Sequence, residues 1–242
     1  MAEQEVIKHS RKIYKIWQRP ATWKHKAREF LIEILIIVFA ISLSLLLDRW
    51  REKKHEQNVA ADFLAGLKTD LEGDIAVLNN LQNSYESQQK AFYYFKQIIA
   101  KNGMVPADDS AVDYVGRIFF SFSTFQPKAG RFEGLKSAGQ LNYIDNKILL
   151  NEILTLYQDR LPWLVSLITS HVRFKTEKLV DYYDTHLPAT GSYSYRLTSL
   201  LKQPVMQRYM ERGSLVQQII DESGESIEEC RAIIRHIDEE IK

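Results

Sequence analysis

The run FLIEILIIVFAISLSLLL, from Phe30 to Leu47, is apolar at almost every position and contains one carboxylate, that of Glu33. As a helix at roughly 1.5 Å per residue it spans about 27 Å, which is close to the hydrocarbon thickness of a bilayer. A buried core helix of this length would usually carry more than one charge. A cleaved signal peptide would end in small residues, which Leu45–Asp48 does not offer. We therefore interpret residues 30–47 as one transmembrane helix.

Positive charge is distributed unevenly about this run. Eight Lys/Arg precede it and four follow it closely, so the positive-inside rule predicts a cytoplasmic N-terminus. In a bacterium the distal domain would then lie in the periplasm, anchored to the inner membrane. The residues that we expect at the two membrane interfaces are aromatic or cationic: Trp17, Trp23, Trp50, Arg28 and Arg49.

The segment before the run, residues 1–29, is basic. From Val6 to Trp17 the apolar residues share one helical face and the cations occupy the rest, a pattern typical of a short amphipathic helix in the lipid headgroup layer. A solvated basic tail fits the same residues equally well. Beyond Lys54 there are 20 Lys/Arg against 25 Asp/Glu, and this mildly acidic balance argues against a nucleic-acid partner. The single cysteine, Cys230, excludes an internal disulfide and a thiolate metal site.

Residues 48–105 are predicted to form one long helix that ends at Asn102-Gly103. Apolar residues recur there at alternating steps of three and four, which indicates a heptad seam with polar residues at two positions. Such a seam packs either on another copy of the chain or on later helices of the same chain, and we favour the second arrangement. The seam consists of Leu64, Leu67, Leu71, Asp74, Leu78, Leu81, Tyr85, Gln88, Phe92, Phe95 and Ile99.

Residues 106–242 are predicted to form a helical domain that packs on the long helix. Pro106–Ser110 indicates a turn and N-cap. Phe119–Phe125 alternates as a strand would, but no partner strand is evident, so we interpret it as a helix end and an aromatic plug. Gly130–Asn146 is expected to be the least regular part of the domain.

Two longer helices complete the predicted domain. One runs from an N-cap at Asp145 to about His186, with a kink near Pro162. The other runs from about Ser214 to Ile241. The fold class is therefore all-α: a transmembrane helix that continues into a stalk helix and an antiparallel helical bundle. The apolar stripes are Leu150, Ile153, Tyr157, Leu161, Leu164, Ile168, Val172, Leu179 and Tyr182 in the first helix, and Leu215, Ile219, Ser223, Ile227, Cys230, Ile234, Ile237 and Ile241 in the second.

The anchor with Glu33, the Trp50 that follows it and the segment GLKSAGQLNYIDN carry a family resemblance. The chain is similar to the single-pass bacterial envelope proteins that contain the domain of unknown function six-zero-nine-zero, whose anchors contain Glu and whose distal part contains a pattern LKSSGxLxxIxN. Ala138 stands where that pattern often has Ser, and the anchor lacks the glycines common in such anchors. The resemblance implies an architecture and an envelope location, and it implies no activity. The matching residues are Gly134, Leu135, Lys136, Ser137, Gly139, Leu141, Ile144 and Asn146.

Few residues are candidates for chemistry. Glu33 inside a bilayer would be costly, which indicates an interfacial or helix-pairing role, a contact with a partner subunit, or ion coupling. Gly130–Ser137 superficially resembles a phosphate loop, but its lysine does not directly follow a glycine and no strand precedes it. Asp181, Asp184 and His186 could gather a metal, although their position favours a solvated helix end. We predict no catalytic residue, no metal and no cofactor.

These features predict a non-enzymatic, membrane-anchored helical scaffold or interaction subunit of a bacterial envelope complex. Its expected partners are the lipid bilayer and either further copies of the chain or other membrane subunits. The alternative is a sensor or ion-coupled accessory subunit in which Glu33 contacts the transmembrane helices of a partner. An enzyme of the bilayer surface is a third class, and it would require converging carboxylates in a polar pocket of the distal domain.

Overall fold

The computed structural model describes residues 23–241, and within them the chain is all-α, without a strand, as predicted. The helix expected between Val6 and Trp17 lies outside the described residues. The chain divides into two compact units, residues 1–58 and 59–242. The first helix, α1 (Trp23–Ala100), contributes residues to both units.

In the first unit, the apolar side chains of residues 30–47 of α1 are not covered by other parts of the unit. Thirteen of the fourteen large apolar side chains of this run are between 40% and 68% exposed, Ile37 is partly exposed, and none of the 18-residue apolar window is buried within the unit. In the described part of the chain, α1 is the one helix long and apolar enough to cross a membrane. Phe30–Leu47 therefore differs from a core helix, whose apolar side chains would be covered by protein.

In the second unit, the predicted seam of α1 is buried by other parts of the same chain. All its members are buried except Ile99, which is partly buried. The predicted stop is also present. The amide of Asn102 donates to the Ile99 carbonyl, and that of Gly103 donates to the Ile98 carbonyl. This is a Schellman ending in which Asn102, at φ 49°, takes the left-handed position.

The other helices of the second unit follow α1 through short connections. They are α2 (Asp109–Val115), continued by a π-helical turn (Gly116–Phe120), α3 (Gly130–Ser137), a 3-10 turn (Leu141–Tyr143), α4 (Lys147–Thr155), a π turn (Leu156–Arg160), α5 (Leu161–Phe174), a π turn (Lys175–Val180), α6 (Asp181–His186), α7 (Tyr193–Leu201), α8 (Pro204–Glu211) and α9 (Ser214–Glu240).

Side-chain pairs fix the directions of the three longest segments. Along α1 and α9 the pairs are Lys68 with Asp238 and Gln89 with Gln217, so these helices run antiparallel. The run α4–α6 is also antiparallel to α9, since Glu152 pairs with His236 and Trp163 with Glu222. The core lies along this three-helix arrangement, and the predicted stripe residues at the two ends of α9, Leu215 and Ile241, are exposed.

Two local predictions are wrong. Residues Gly130–Ser137, expected to be irregular, form α3, because Phe132 and Leu135 at helical spacing both enter the core. The N-cap of α4 is Asn146 and not Asp145. The Asn146 side chain accepts hydrogen bonds from the amides of Ile148 and Leu149, both at 3.1 Å.

Candidate functional site

The helical half of the family-like motif lies on α3. Leu135 is buried, and the Lys136 ammonium lies 5.6 Å from the centre of the Phe132 ring. Gly134 faces open space, since a Cβ there would meet no atom within 4 Å. Leu135 therefore holds α3 to the core together with Phe132, Lys136 covers the ring of Phe132 from the same helix, and close helix packing does not require a glycine at position 134.

Gly139 ends α3. Its φ is 69°, its amide donates to the Lys136 carbonyl at 3.0 Å, and the next amide, of Gln140, donates to the Leu135 carbonyl at 3.1 Å. These are the two hydrogen bonds of a Schellman ending, in which the left-handed residue is most often glycine. The Lys-Ser-Ala-Gly part of the motif is therefore a helix terminator.

The remaining motif residues lead from this terminator into α4. Leu141 begins the 3-10 turn, Ile144 is buried in the core, and Asn146 is the N-cap of α4. Every position of the family-like motif that follows Ser137 thus has a structural role in one helix-to-helix connection. The motif residues converge on this connection.

This interpretation predicts opposite effects for two glycines of the same helix. Gly139→Ala should lower the free energy of unfolding by about 1 kcal/mol, because a Cβ is unfavourable in the left-handed conformation. Gly134→Ala should raise it by roughly 0.5–1 kcal/mol, because alanine is the better helix former and has room there. Urea titration of both variants measures this difference, and a loss at Gly134 equal to that at Gly139 would contradict it.

A second site is a buried polar cluster that we define by Tyr85, Gln88, His171 and Lys175. Lys175 is 1% exposed. Its ammonium donates to the Gln88 side-chain oxygen at 2.9 Å and to the main-chain carbonyls of Arg117 at 3.1 Å and Ser121 at 2.5 Å. Burial lowers the pKa of Lys175 to about 7. The three acceptors match the three donors of a charged ammonium, and so they act against this lowering.

His171 lies beside Lys175 and is 2% exposed. Its ring meets the ring of Tyr85 edge-on at 5.6 Å between centroids. Among the described residues neither ring nitrogen has a hydrogen-bond partner, and the side-chain nitrogen of Gln88 also has none. Burial, with a smaller contribution from the Lys175 charge, lowers the pKa of His171 to about 4. The ring is therefore neutral near pH 7.

The polar cluster anchors an extended segment, residues 121–129, which we call the strap. The Tyr85 hydroxyl donates to the Ser123 carbonyl at 2.9 Å, and Lys175 binds the carbonyl of Ser121. At the other end, the amide of Lys128 donates to the buried carboxylate of Asp74 at 3.0 Å. The two polar positions of the seam, Asp74 and Gln88, thus belong to the attachment of the strap. Burial raises the pKa of Asp74.

A third charged group joins α5 to α9. Arg160 forms ion pairs with Glu222 and Glu225 at 2.9 Å and with Glu229 at 2.8 Å, and the hydrogen bonds to Glu229 and Glu222 raise its pKa. A groove of about 650 Å³ runs beside this cluster, lined largely by acidic residues of α9. Arg160 offsets part of this acidic charge, so the cluster holds two helices together.

Sequence reasoning missed His171 and Lys175. Val172 was predicted on the apolar stripe, but it is only partly buried, and the fully buried position is His171. The positions Ile168, His171, Lys175 and Leu179 keep helical spacing, so the core face passes through two polar residues. That spacing was the available signal, and the π turn Lys175–Val180 that follows is a feature often found at functional sites.

The expected interface residues lie on α1 as far as the structure describes them. Arg28, Arg49 and Trp50 are exposed, and Glu33 is partly exposed. Trp23 is the first residue of α1, and Trp17 lies outside the described residues. Along α1, the exposed Arg28 is followed by the apolar run with Glu33 near its start, and then by the exposed Arg49 and Trp50.

The candidate metal and phosphate sites have other roles. His186 stacks on the Tyr182 ring at 3.9 Å, and its Nδ1 lies 2.7 Å from the Thr185 hydroxyl. A search of residues 23–241 finds no group of three His, Cys, Asp or Glu side chains placed to hold a metal. The loop-like glycine segment 130–137 is the helix α3.

Comparisons with known proteins add no relative. No family profile, curated protein or solved structure matches the chain. The resemblance to proteins with the domain of unknown function six-zero-nine-zero therefore stays a prediction, and the site must be interpreted from its own geometry.

Proposed function

We propose that this chain is a membrane-anchored interaction subunit of a bacterial envelope complex, with residues 59–242 as the part that binds other proteins. The proposed anchor is the exposed apolar run of α1. The excess of cations before this run favours a cytoplasmic N-terminus and a periplasmic helical unit. The proposed partners are further copies of the chain or other membrane subunits, and the resemblance to envelope proteins supports the same location.

The observation that carries this proposal is a patch of exposed aromatic rings, which we call the aromatic surface and define by Phe120, Phe122 and Tyr193. Phe120 and Phe122 are 51% and 44% exposed, although their neighbour Phe119 is fully buried. The Phe120 ring meets Tyr183 at 5.6 Å, and the Tyr183 hydroxyl lies 3.3 Å from that of Tyr193. The Phe122 ring, two residues along the chain from Phe120, has its centre 5.0 Å from the Lys175 ammonium. Exposed aromatic rings grouped in this way are typical of protein-binding surfaces.

The test is a native pull-down of the full chain, tagged at its C-terminus, in mild detergent. Native mass should show a homo-oligomer or a stoichiometric membrane partner. The double variant Phe120→Ser with Phe122→Ser should lose most of this assembly, because it removes the apolar contact area. Tyr93→Ser is the control, since Tyr93 is 64% exposed on α1, outside the aromatic surface, and its loss should leave assembly unchanged.

Two outcomes would count against the proposal. One is a monomer without any co-purifying protein, and the other is an equal loss of assembly in Tyr93→Ser. The alternative function, an accessory subunit that contacts its partner through Glu33, has its own result in the same experiment. Glu33→Gln would then abolish the association while the Phe120 and Phe122 variant retained it. Glu33 favours this alternative because it is the one ionisable residue of the apolar run.

A further inference from the structure

The strap is attached mainly through side chains, which include the buried ring of Phe125 and the Ser123 hydroxyl, 2.6 Å from that of Ser84. Between backbone groups of residues 121–129, the Ala129 amide donates to the Pro127 carbonyl. The hydrogen bonds from the strap to α1 use the side chains of Tyr85 and Asp74. At its first residue, the Ser121 carbonyl is held by Lys175. The strap also carries Phe122 of the aromatic surface. The position of the first residues of the strap therefore depends on whether Lys175 keeps its place.

Lys175 keeps its buried position only while the neighbouring His171 ring is uncharged. The ionisable or charged groups that face the imidazole are Tyr85 from α1 and Lys175 from the same helical run. Because the α4–α6 run is antiparallel to α9, the residue of α9 that lies opposite His171 is the buried, apolar Val216. From the α8–α9 junction, the Arg212 guanidinium lies 5.3 Å from the centre of the nearby Phe174 ring. Protonation of His171 would therefore create a second buried positive charge beside that of Lys175, in surroundings that are otherwise apolar or cationic.

We propose that protonation of His171 releases the strap. The imidazolium has no acceptor where the ring lies, and the Lys175 ammonium one helical turn away repels it. The ring therefore leaves the core, and Lys175 gives up the carbonyls of Arg117 and Ser121. The π turn Gly116–Phe120 and the adjoining end of the strap then open, which displaces Phe120 and Phe122. This device requires no partner, so it does not rest on the proposed function.

The direction of the effect follows from proton linkage. In the open form His171 lies in water with the ordinary pKa near 6.5, whereas in the closed form burial lowers it to about 4. The open form binds more protons between these values, so opening is favoured as the pH falls from 6.5 towards 4. From about pH 7 to about pH 5 the open fraction should rise about 20-fold. Asp74, at the far end of the strap, acts in the opposite direction because its pKa is raised in the closed form.

The experiment is amide hydrogen exchange at single-residue resolution on the full chain in mild detergent, at about pH 7 and about pH 5 and corrected for the intrinsic pH dependence of exchange. Residues 117–121 should exchange about 20-fold faster at the lower pH. His171→Phe keeps a ring against Tyr85 and cannot be protonated, so the rise of about 20-fold should be lost, and only the smaller, opposed contributions of Lys175 and Asp74 should remain. His186→Phe, at an exposed histidine, should respond as the unchanged chain does.

Two results would overturn the proposal: exchange at residues 117–121 that does not change with pH, or a rise of the same size in His171→Phe as in the unchanged chain. Where His171→Phe does not fold, histidine-labelled unchanged protein gives the answer by NMR titration. A His171 resonance that titrates well below pH 6.5, together with shifts in the residues of the strap, supports the device. Titration at the ordinary pKa, or without any change in the strap, contradicts it.

Discussion

Phe132→Ala is expected to lower the free energy of unfolding of the second unit by about 4 kcal/mol. The ring has no exposed surface and stacks on Tyr157, with 4.8 Å between centroids and 12° between planes. Its removal forfeits the apolar transfer energy of the ring. It also leaves a cavity between α3 and the α4–α6 run that neighbouring side chains fill only in part. Urea denaturation of the full chain in mild detergent, followed by far-UV circular dichroism, measures the loss.

The matched control is the same substitution at a half-exposed ring. Phe120→Ala should cost about 1 kcal/mol or less, because the ring already lies half in water and its truncation leaves no cavity. Equal losses in the two variants would mean that α3 does not pack on the core as described. A loss confined to Phe132→Ala would show that the family-like segment begins on a helix held by its buried ring.

The seam of α1 could be predicted because its burial follows from spacing alone. Residues at steps of three and four share one helical face, whatever covers that face. The polar members Asp74 and Gln88 were also visible as exceptions. Their partners were not, because the atoms that satisfy them are the Lys128 amide and the Lys175 ammonium, distant in the sequence. The sequence pattern predicts which face of a helix a side chain lies on, and the tertiary structure determines which groups contact that side chain.

The connection between α3 and α4 was harder to predict for a physical reason. Three glycines in Gly130–Asn146 lower the intrinsic helix preference, which favours an irregular segment. Burial of Phe132 and Leu135 outweighs that preference and forms α3. One of the glycines, Gly139, does have the conformational role that glycine suggests, because it adopts a positive φ. The glycine preference therefore predicted the conformation of Gly139 correctly, whereas on α3 the burial of apolar side chains outweighed it.

The register of the α4–α6 run shows a third limit. A stripe drawn at constant α-helical spacing includes Val172, but the buried position is His171. Helical spacing from Ile168 permits either His171 or Val172, and only tertiary packing decides which of the two is buried. The π turns Leu156–Arg160 and Lys175–Val180 add residues to their turns on either side of this position. Neither turn has a signal in the sequence beyond Pro162, which lies at the start of α5 just after the first of them.

The largest effect is expected in the apolar run. Ile36→Arg with Phe39→Arg, on one face at the centre of residues 30–47, should remove most of the chain from the membrane fraction. Fourteen of the eighteen residues there are Leu, Ile, Val or Phe, and at about 0.3–0.6 kcal/mol each they favour insertion by roughly 6 kcal/mol. Two central arginines cost about 5–7 kcal/mol. Insertion is then no longer favoured, and resistance to alkaline carbonate extraction measures its loss.

The matched control places the same two arginines at the ends of the run, as Phe30→Arg with Leu47→Arg. There the long side chains reach the headgroup region, so their cost is small and the chain should stay resistant to extraction. Each double variant loses one phenylalanine and one aliphatic residue and gains two arginines. The two variants therefore differ chiefly in the depth of the charges. A difference between them therefore reports a bilayer around residues 30–47. Equal extraction of both, or a chain that is already soluble without substitution, would show that this exposed apolar surface is covered by protein and not by lipid.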